Sequence, residues 1–215
     1  MTDRQHHTVR RLETFSDIVI AFTLSGLAFT LRLPARSQDL VAHPMHFIAF
    51  LASFAFVCAL WWLHHRVFAR LFYPNTLNVL LNFAFLASTV YIVYSLQLLT
   101  AFDDAISQAA YALSIGVAFC LLAVLFARGS AETQTQADDV ERRDAGRAAW
   151  RVGLVGVAFL ISAAIPIAGA SPKYMSMIWV VAVAIPAFLR ARERLASRRA
   201  PAVQSEPTEP VRPKS

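Results

Sequence analysis

Glycine is scarce in this chain, with seven in 215 residues. That scarcity leaves little room for the turns that cradle phosphates or lift a catalytic nucleophile out of a sheet. Neither a nucleophile elbow nor a pair of catalytic carboxylates at workable spacing is present, so an enzyme is not the expectation. Cysteine is rarer still. Cys58 and Cys120 each fall inside an apolar stretch with no metal-ligand spacing around them, which reads as two small hydrophobes, not a zinc site or a disulfide framework. Charge is thin as well: 16% of residues are charged and 57% are hydrophobic, too apolar a balance for a domain whose whole surface meets water. A surface facing membrane lipid removes the conflict. The formal net charge of +6 does not point to nucleic acid, because the basic residues flank apolar runs instead of gathering on a polar face.

A spanning helix needs about 20 mostly apolar residues. Stretches of that kind recur at 15–33, 45–63, 76–99, 105–127, 149–168 and 174–189, and predict an all-α integral membrane protein with six transmembrane helices. Pro34, Pro44, Pro74 and Pro172 fall at the joints, where a missing amide hydrogen costs little. Pro166 and Pro186 fall near the ends of the last two stretches and are candidates to bend them. The first stretch reads as a retained helix and not as a cleaved leader, since Ser16 and Asp17 interrupt it and further spanning stretches follow. Arg4, Arg10 and Arg11, then Arg66 and Arg70, then a cluster between 128 and 151, then 190–199 fall on one side of the stretches, while the other side holds only Arg32, Arg36 and Lys173. Translocating short basic loops is disfavoured, so the rich side is cytoplasmic and both termini lie there. Residues 1–14 read as a cytoplasmic N-terminal segment, 15–196 as the membrane domain with 129–147 as a solvated cytoplasmic connection, and 197–215 as a disordered cytoplasmic tail.

In a membrane helix the informative residue is the ionisable one, since a charge at the bilayer centre costs at least about 2.5–3.5 kcal/mol even on insertion scales. Asp17 is that residue. Arg11 lies six positions earlier, about 120° away around a helix, so the two do not pair within it. Partners at matching depth are Trp61, Trp62, His64, His65 and Arg66 at the end of the second stretch, and Asn78 and Asn82 at the start of the third. Such a cluster either staples helices near the headgroups, with the tryptophans as interface anchors, or borders a water-filled path. His43 and His46 have Pro44 between them and no third ligand nearby, and His6 and His7 sit in a basic tail; both pairs read as surface groups.

Arg11-x-x-x-Phe15-Ser16-Asp17 at the start of a first membrane helix, followed by a second ending Trp61-x-x-His64-His65-Arg66, resembles the transmembrane protein 175 family. The likeness covers the six-helix plan, with the sharp motifs confined to the first three helices. It implies a cation channel favouring potassium, built as a homotetramer of single-repeat subunits in the bacterial inner membrane, in which the first helices surround the pore. It further implies no cofactor beyond permeant K⁺ and other monovalent cations. The family's pore is narrowed by large aliphatic side chains on a stripe that begins five residues after the signature aspartate. Carried over, that spacing puts Phe22 at the constriction, Ser25 or Gly26 about a turn further, and Phe29 beyond. Arg11, Phe15, Ser16, Asp17, Trp61, His64, His65 and Asn82 form the signature polar cluster. The chain departs from the pattern at Phe22, where an aliphatic residue is usual, and at Ile18, where a glycine commonly follows the aspartate. Geometry makes the stripe coherent, because residues seven apart on a helix differ by only about 20° in direction, so Phe15, Phe22 and Phe29 share a face. The rival readings are a proton-coupled membrane carrier using Asp17 and a non-conducting membrane assembly.

Overall fold

Backbone amides in a lipid-facing segment must be satisfied internally, and each apolar stretch that the structure describes has become a helix. The computed structural model describes residues 3–31, 44–102, 104–132 and 139–169, with the isolated positions 178, 179, 181 and 184. Within them the chain is all-α: α1 (Asp3–Ala28), α2 (Pro44–Arg70), α3 (Thr76–Phe102), α4 (Ala105–Glu132) and α5 (Asp139–Ile167). Four helical segments, Phe47–Arg70, Thr76–Phe102, Ala105–Ala131 and Arg143–Ile167, are long and apolar enough to cross a membrane. The first helix, described as far as Ala28, is not among them, and Arg11, Glu13 and Asp17 lie within its described length. The expected sixth stretch, 174–189, the tail at 197–215 and the pair His43 and His46 lie outside the residues whose side chains are described, apart from Trp179 and its few neighbours.

The helices outrun their apolar stretches on the arginine-rich side. Residues 3–14, 64–70, 128–132 and 139–148 are all helical, which the polar composition of 3–14 and of 129–147 does not announce. A helix outside lipid needs partners, not an apolar run, and these ends have them. Val9 and Leu12 pack on the core, the Gln5 amide donates to the Tyr73 hydroxyl at 3.3 Å, and Arg128 Nε donates to Asn78 Oδ1 at 2.6 Å. Gly129 sits so close to α2's end that a Cβ there would lie 2.7 Å from Leu71 Cβ. At the opposite end α1 stops earlier than the expected Leu33. Phe29, Thr30 and Leu31 each donate to the carbonyl three residues back, tightening the last turn.

The centre of the bundle is α4, which packs most extensively on α5 and next on α3, while α1 leans on α2 and α3 at the edge. Close approach of α4 and α5 depends on two glycines. A Cβ at Gly156 would meet Cys120 Sγ at 2.6 Å and one at Gly116 would meet Leu160 Cδ2 at 2.8 Å, the small-residue packing that holds membrane helices together. Polar crosslinks add to it: Ser53 to the Tyr111 hydroxyl at 2.7 Å and Ser95 to Ser114 at 2.9 Å. Trp179 stacks on Phe159 with centroids 5.4 Å apart and donates to Ser162 Oγ at 2.9 Å. Asp104 caps α4, its Oδ1 accepting from the Ser107 amide at 2.8 Å. That bond, and a second from the Ser107 side chain, hold its carboxyl below the usual aspartate range. The last turn of α5 contains Pro166, and two residues past its end Gly169 has φ 74°, a left-handed conformation that a side chain would strain.

Candidate functional site

On α1 two faces differ in kind. Ser16, Ile20, Thr23 and Leu27 are buried, a spacing of four, three and four that follows one side of a helix. On the other side Phe15 (48% exposed), Ile18 (50%), Phe22 (74%) and Phe29 (83%) form an apolar stripe, and Ser25 continues it. The Ser25 hydroxyl donates to the Ala21 carbonyl at 3.0 Å, so it adds no unsatisfied polar group to that face. Gly26 borders α3 instead, since a Cβ there would touch Val93 at 3.7 Å. Phe15 is steered by an edge-to-face contact with Phe83, 6.0 Å between centroids.

What aims that stripe outward is a line of hydrogen bonds through three helices. His64 Nε2 donates to Asn82 Oδ1 at 2.8 Å, Asn82 Nδ2 donates to Ser16 Oγ at 3.1 Å, and Ser16 Oγ donates to the Leu12 carbonyl at 2.8 Å. All three side chains are 0% exposed. The His64 ring lies flat against Phe85, 5.0 Å away at 8°, and near Phe68 at 4.6 Å. His64 Nδ1 is buried with no hydrogen-bond partner. An orphaned acceptor there is tolerable because the ring's one proton already serves Asn82.

A second layer lies nearer the surface. Trp61 Nε1 donates to Asp17 Oδ1 at 3.0 Å, and His65 Nδ1 approaches Glu13 Oε1 at 3.2 Å. The Trp61 and His65 rings stack 6.1 Å apart. Asp17 and His65 were grouped together from their depth; the structure gives each a different partner, and Arg11 stays exposed outside the network. Glu13 was missed as a member. It lies one helical turn before Asp17, on nearly the same face, which is the signal that marks it. Among the described residues no group of three or more His, Cys, Asp and Glu side chains is placed to hold a metal ion.

Four long apolar helices around a tightly packed centre, with a more polar helix pinned at the edge by buried hydrogen bonds, define a multi-pass, all-helical membrane protein. The sequence profile of the family described as "Endosomal/lysosomal potassium channel TMEM175" matches residues 11–92, the segment that contains the stripe and its anchor. A "Potassium channel" from Marivirga tractuosa is 30% identical over 92 residues, covering 43% of this chain and 37% of that relative. The alignment thus spans little more than a third of that protein. In fold, a crystal structure of a lysosomal potassium-selective channel TMEM175 homolog from Chamaesiphon minutus superposes with a TM-score of 0.63 at 20% identity, over 82% of this chain and 95% of that one. A variant of the potassium channel MtTMEM175, solved with a nanobody fusion, gives a TM-score of 0.58 at 18% identity, over 88% and 94%. The likeness to the transmembrane protein 175 family is borne out, in sequence over residues 11–92 and in fold over most of the chain.

Proposed function

We propose that the chain is one subunit of a potassium-favouring cation channel, a homotetramer in which four copies of α1 surround the pore and Phe22 forms a hydrophobic constriction. The observation that carries this reading is the exposed stripe of Phe15, Ile18, Phe22, Ser25 and Phe29 on the helix that also carries Glu13 and Asp17. A helix with Asp17 and Glu13 on it is poorly suited to face acyl tails alone, whereas symmetry mates and a narrow water-filled path suit both the apolar stripe and the carboxylates. The family profile whose description names a potassium channel matches the chain in this same region. A ring of phenyl groups excludes water from the neck when closed and sets the width of the passage when open. Ser25 and Phe29 line the half beyond it, and the Asp17–Trp61 and Glu13–His65 contacts hold the end of α1 that the arginine bias places in the cytoplasm.

Potassium flux into liposomes tests the assignment. Phe22→Ala opens the neck, so it raises flux and lowers discrimination between K⁺ and Na⁺; flux and selectivity equal to those of the unaltered channel would remove Phe22 from the pore. Asp17→Asn separates the channel from a proton-coupled carrier. The Asp17 carboxylate accepts from Trp61, a positioning contact, so the channel retains flux with reduced stability, while a carrier dependent on that carboxylate loses transport altogether.

A further inference from the structure

On the arginine-rich side of the bundle, away from α1, a cleft of about 180 Å³ opens between α2, α4 and α5. Its α2 wall runs Phe56, Ala59, Leu63 and Arg66, and its α5 wall runs Arg151, Val152 and Val155. These helices are antiparallel, so both arginines come at one end of the cleft and the aliphatic and aromatic side chains lie below them. From Arg66 to Phe56 is ten residues, or about 15 Å of helix. The volume is under the roughly 300–1,000 Å³ of pockets that enclose a whole small molecule. It is a slot for part of an amphiphile.

We propose that this cleft binds one anionic phospholipid, with its phosphate on Arg66 and Arg151 and the upper part of one acyl chain along Ala59, Leu63 and Val155. Charge complementarity selects the occupant. A guanidinium fork matches phosphate oxygens bidentately, and basic pockets between membrane helices are where anionic headgroups settle. Arg151 also engages the protein, and a guanidinium carries enough N–H donors to serve a second acceptor. Trp62, 58% exposed at the same rim, supplies an amphipathic ring at headgroup level. A zwitterionic lipid brings its own cation to the same place and is repelled there. The proposal rests on the membrane reading and not on conduction.

Native mass spectrometry of the full chain, extracted from membranes of equal phosphatidylcholine and phosphatidylglycerol, reads the outcome directly. The unaltered protein retains phosphatidylglycerol in preference to phosphatidylcholine, R66Q/R151Q retains one fewer per subunit, and R4Q/R10Q, which alters basic residues on α1, is unchanged. Ala59→Trp fills the slot with both arginines intact and also loses the lipid; it decides the matter if R66Q/R151Q does not fold. Equal retention by R66Q/R151Q, or undiminished retention by Ala59→Trp, overturns the proposal. So does displacement of the lipid by inorganic phosphate, which would mark a free-anion site. Loss of ion flux with lipid retention intact leaves it standing, so the two readings fail separately.

Discussion

His64 carries an imidazole into a place with 0% exposure, between two phenyl rings, and its tolerance there depends on a single acceptor, Asn82 Oδ1. Interhelical hydrogen bonds in membranes average about 0.6 kcal/mol, but leaving a buried donor unmade costs more, about 1–3 kcal/mol. Asn82→Leu removes the acceptor from His64 and the donor to Ser16 together, so it destabilises the bundle by about 1–3 kcal/mol. His64→Phe removes the orphaned donor and keeps a flat ring against Phe85. Reversible unfolding in mixed micelles checks the pair: H64F/N82L loses less than the sum of the single variants, and strict additivity would refute the network. This cluster was legible before the structure because depth alone brought Asp17, His64, His65 and Asn82 to one level. Which atom meets which was not legible, since depth leaves rotation about each helix axis free; Trp61 took Asp17 and Glu13 took His65 for that reason.

Helices announced themselves wherever lipid demanded a long apolar run, and five of the expected six appear among the described residues. Their ends on the arginine-rich side did not, because stability there comes from contacts distant in sequence: Arg128 with Asn78, Gly129 against Leu71, and buried Ala145 and Ala148. The α4–α5 seam was equally hidden. A glycine in an apolar run looks alike whether it touches a neighbour or open space, and only the fold separates Gly156, with Cys120 Sγ 2.6 Å from a built Cβ, from Gly146, with nothing nearer than Ser130 Oγ at 4.0 Å. The two therefore respond oppositely. Gly156→Val forces the helices apart and costs about 1–3 kcal/mol or more, whereas Gly146→Ala only restricts the unfolded chain and stabilises by about 0.4–1 kcal/mol. Tryptophan-fluorescence melting in detergent distinguishes them; a Gly156→Val protein that melts with the unaltered chain would show that the seam is not tight.

Across the whole molecule the apolar surfaces are not equivalent. The aliphatic faces of α2 to α5 belong to segments long and apolar enough to cross a membrane, so lipid suffices to cover them. The stripe on α1 shares its helix with Asp17 and Glu13, and a neighbouring copy covers it more economically than acyl tails that must also accommodate those carboxylates. In the proposed tetramer Ser25 of one copy then lies close to Ser25 of the next, whereas Ile161, 59% exposed on α5, faces the membrane. With Cys58 and Cys120, the chain's two cysteines, replaced by alanine, Ser25→Cys is joined between subunits by a short thiol-reactive linker and Ile161→Cys is not, because membrane-facing thiols meet only by collision. Denaturing gels count the linked species. Linked dimers for Ser25→Cys, the largest species that one thiol per chain allows, place α1 between the subunits, and linkage at Ile161→Cys without linkage at Ser25→Cys would turn the bundle around, putting α5 between the subunits and the phenylalanine stripe in the lipid.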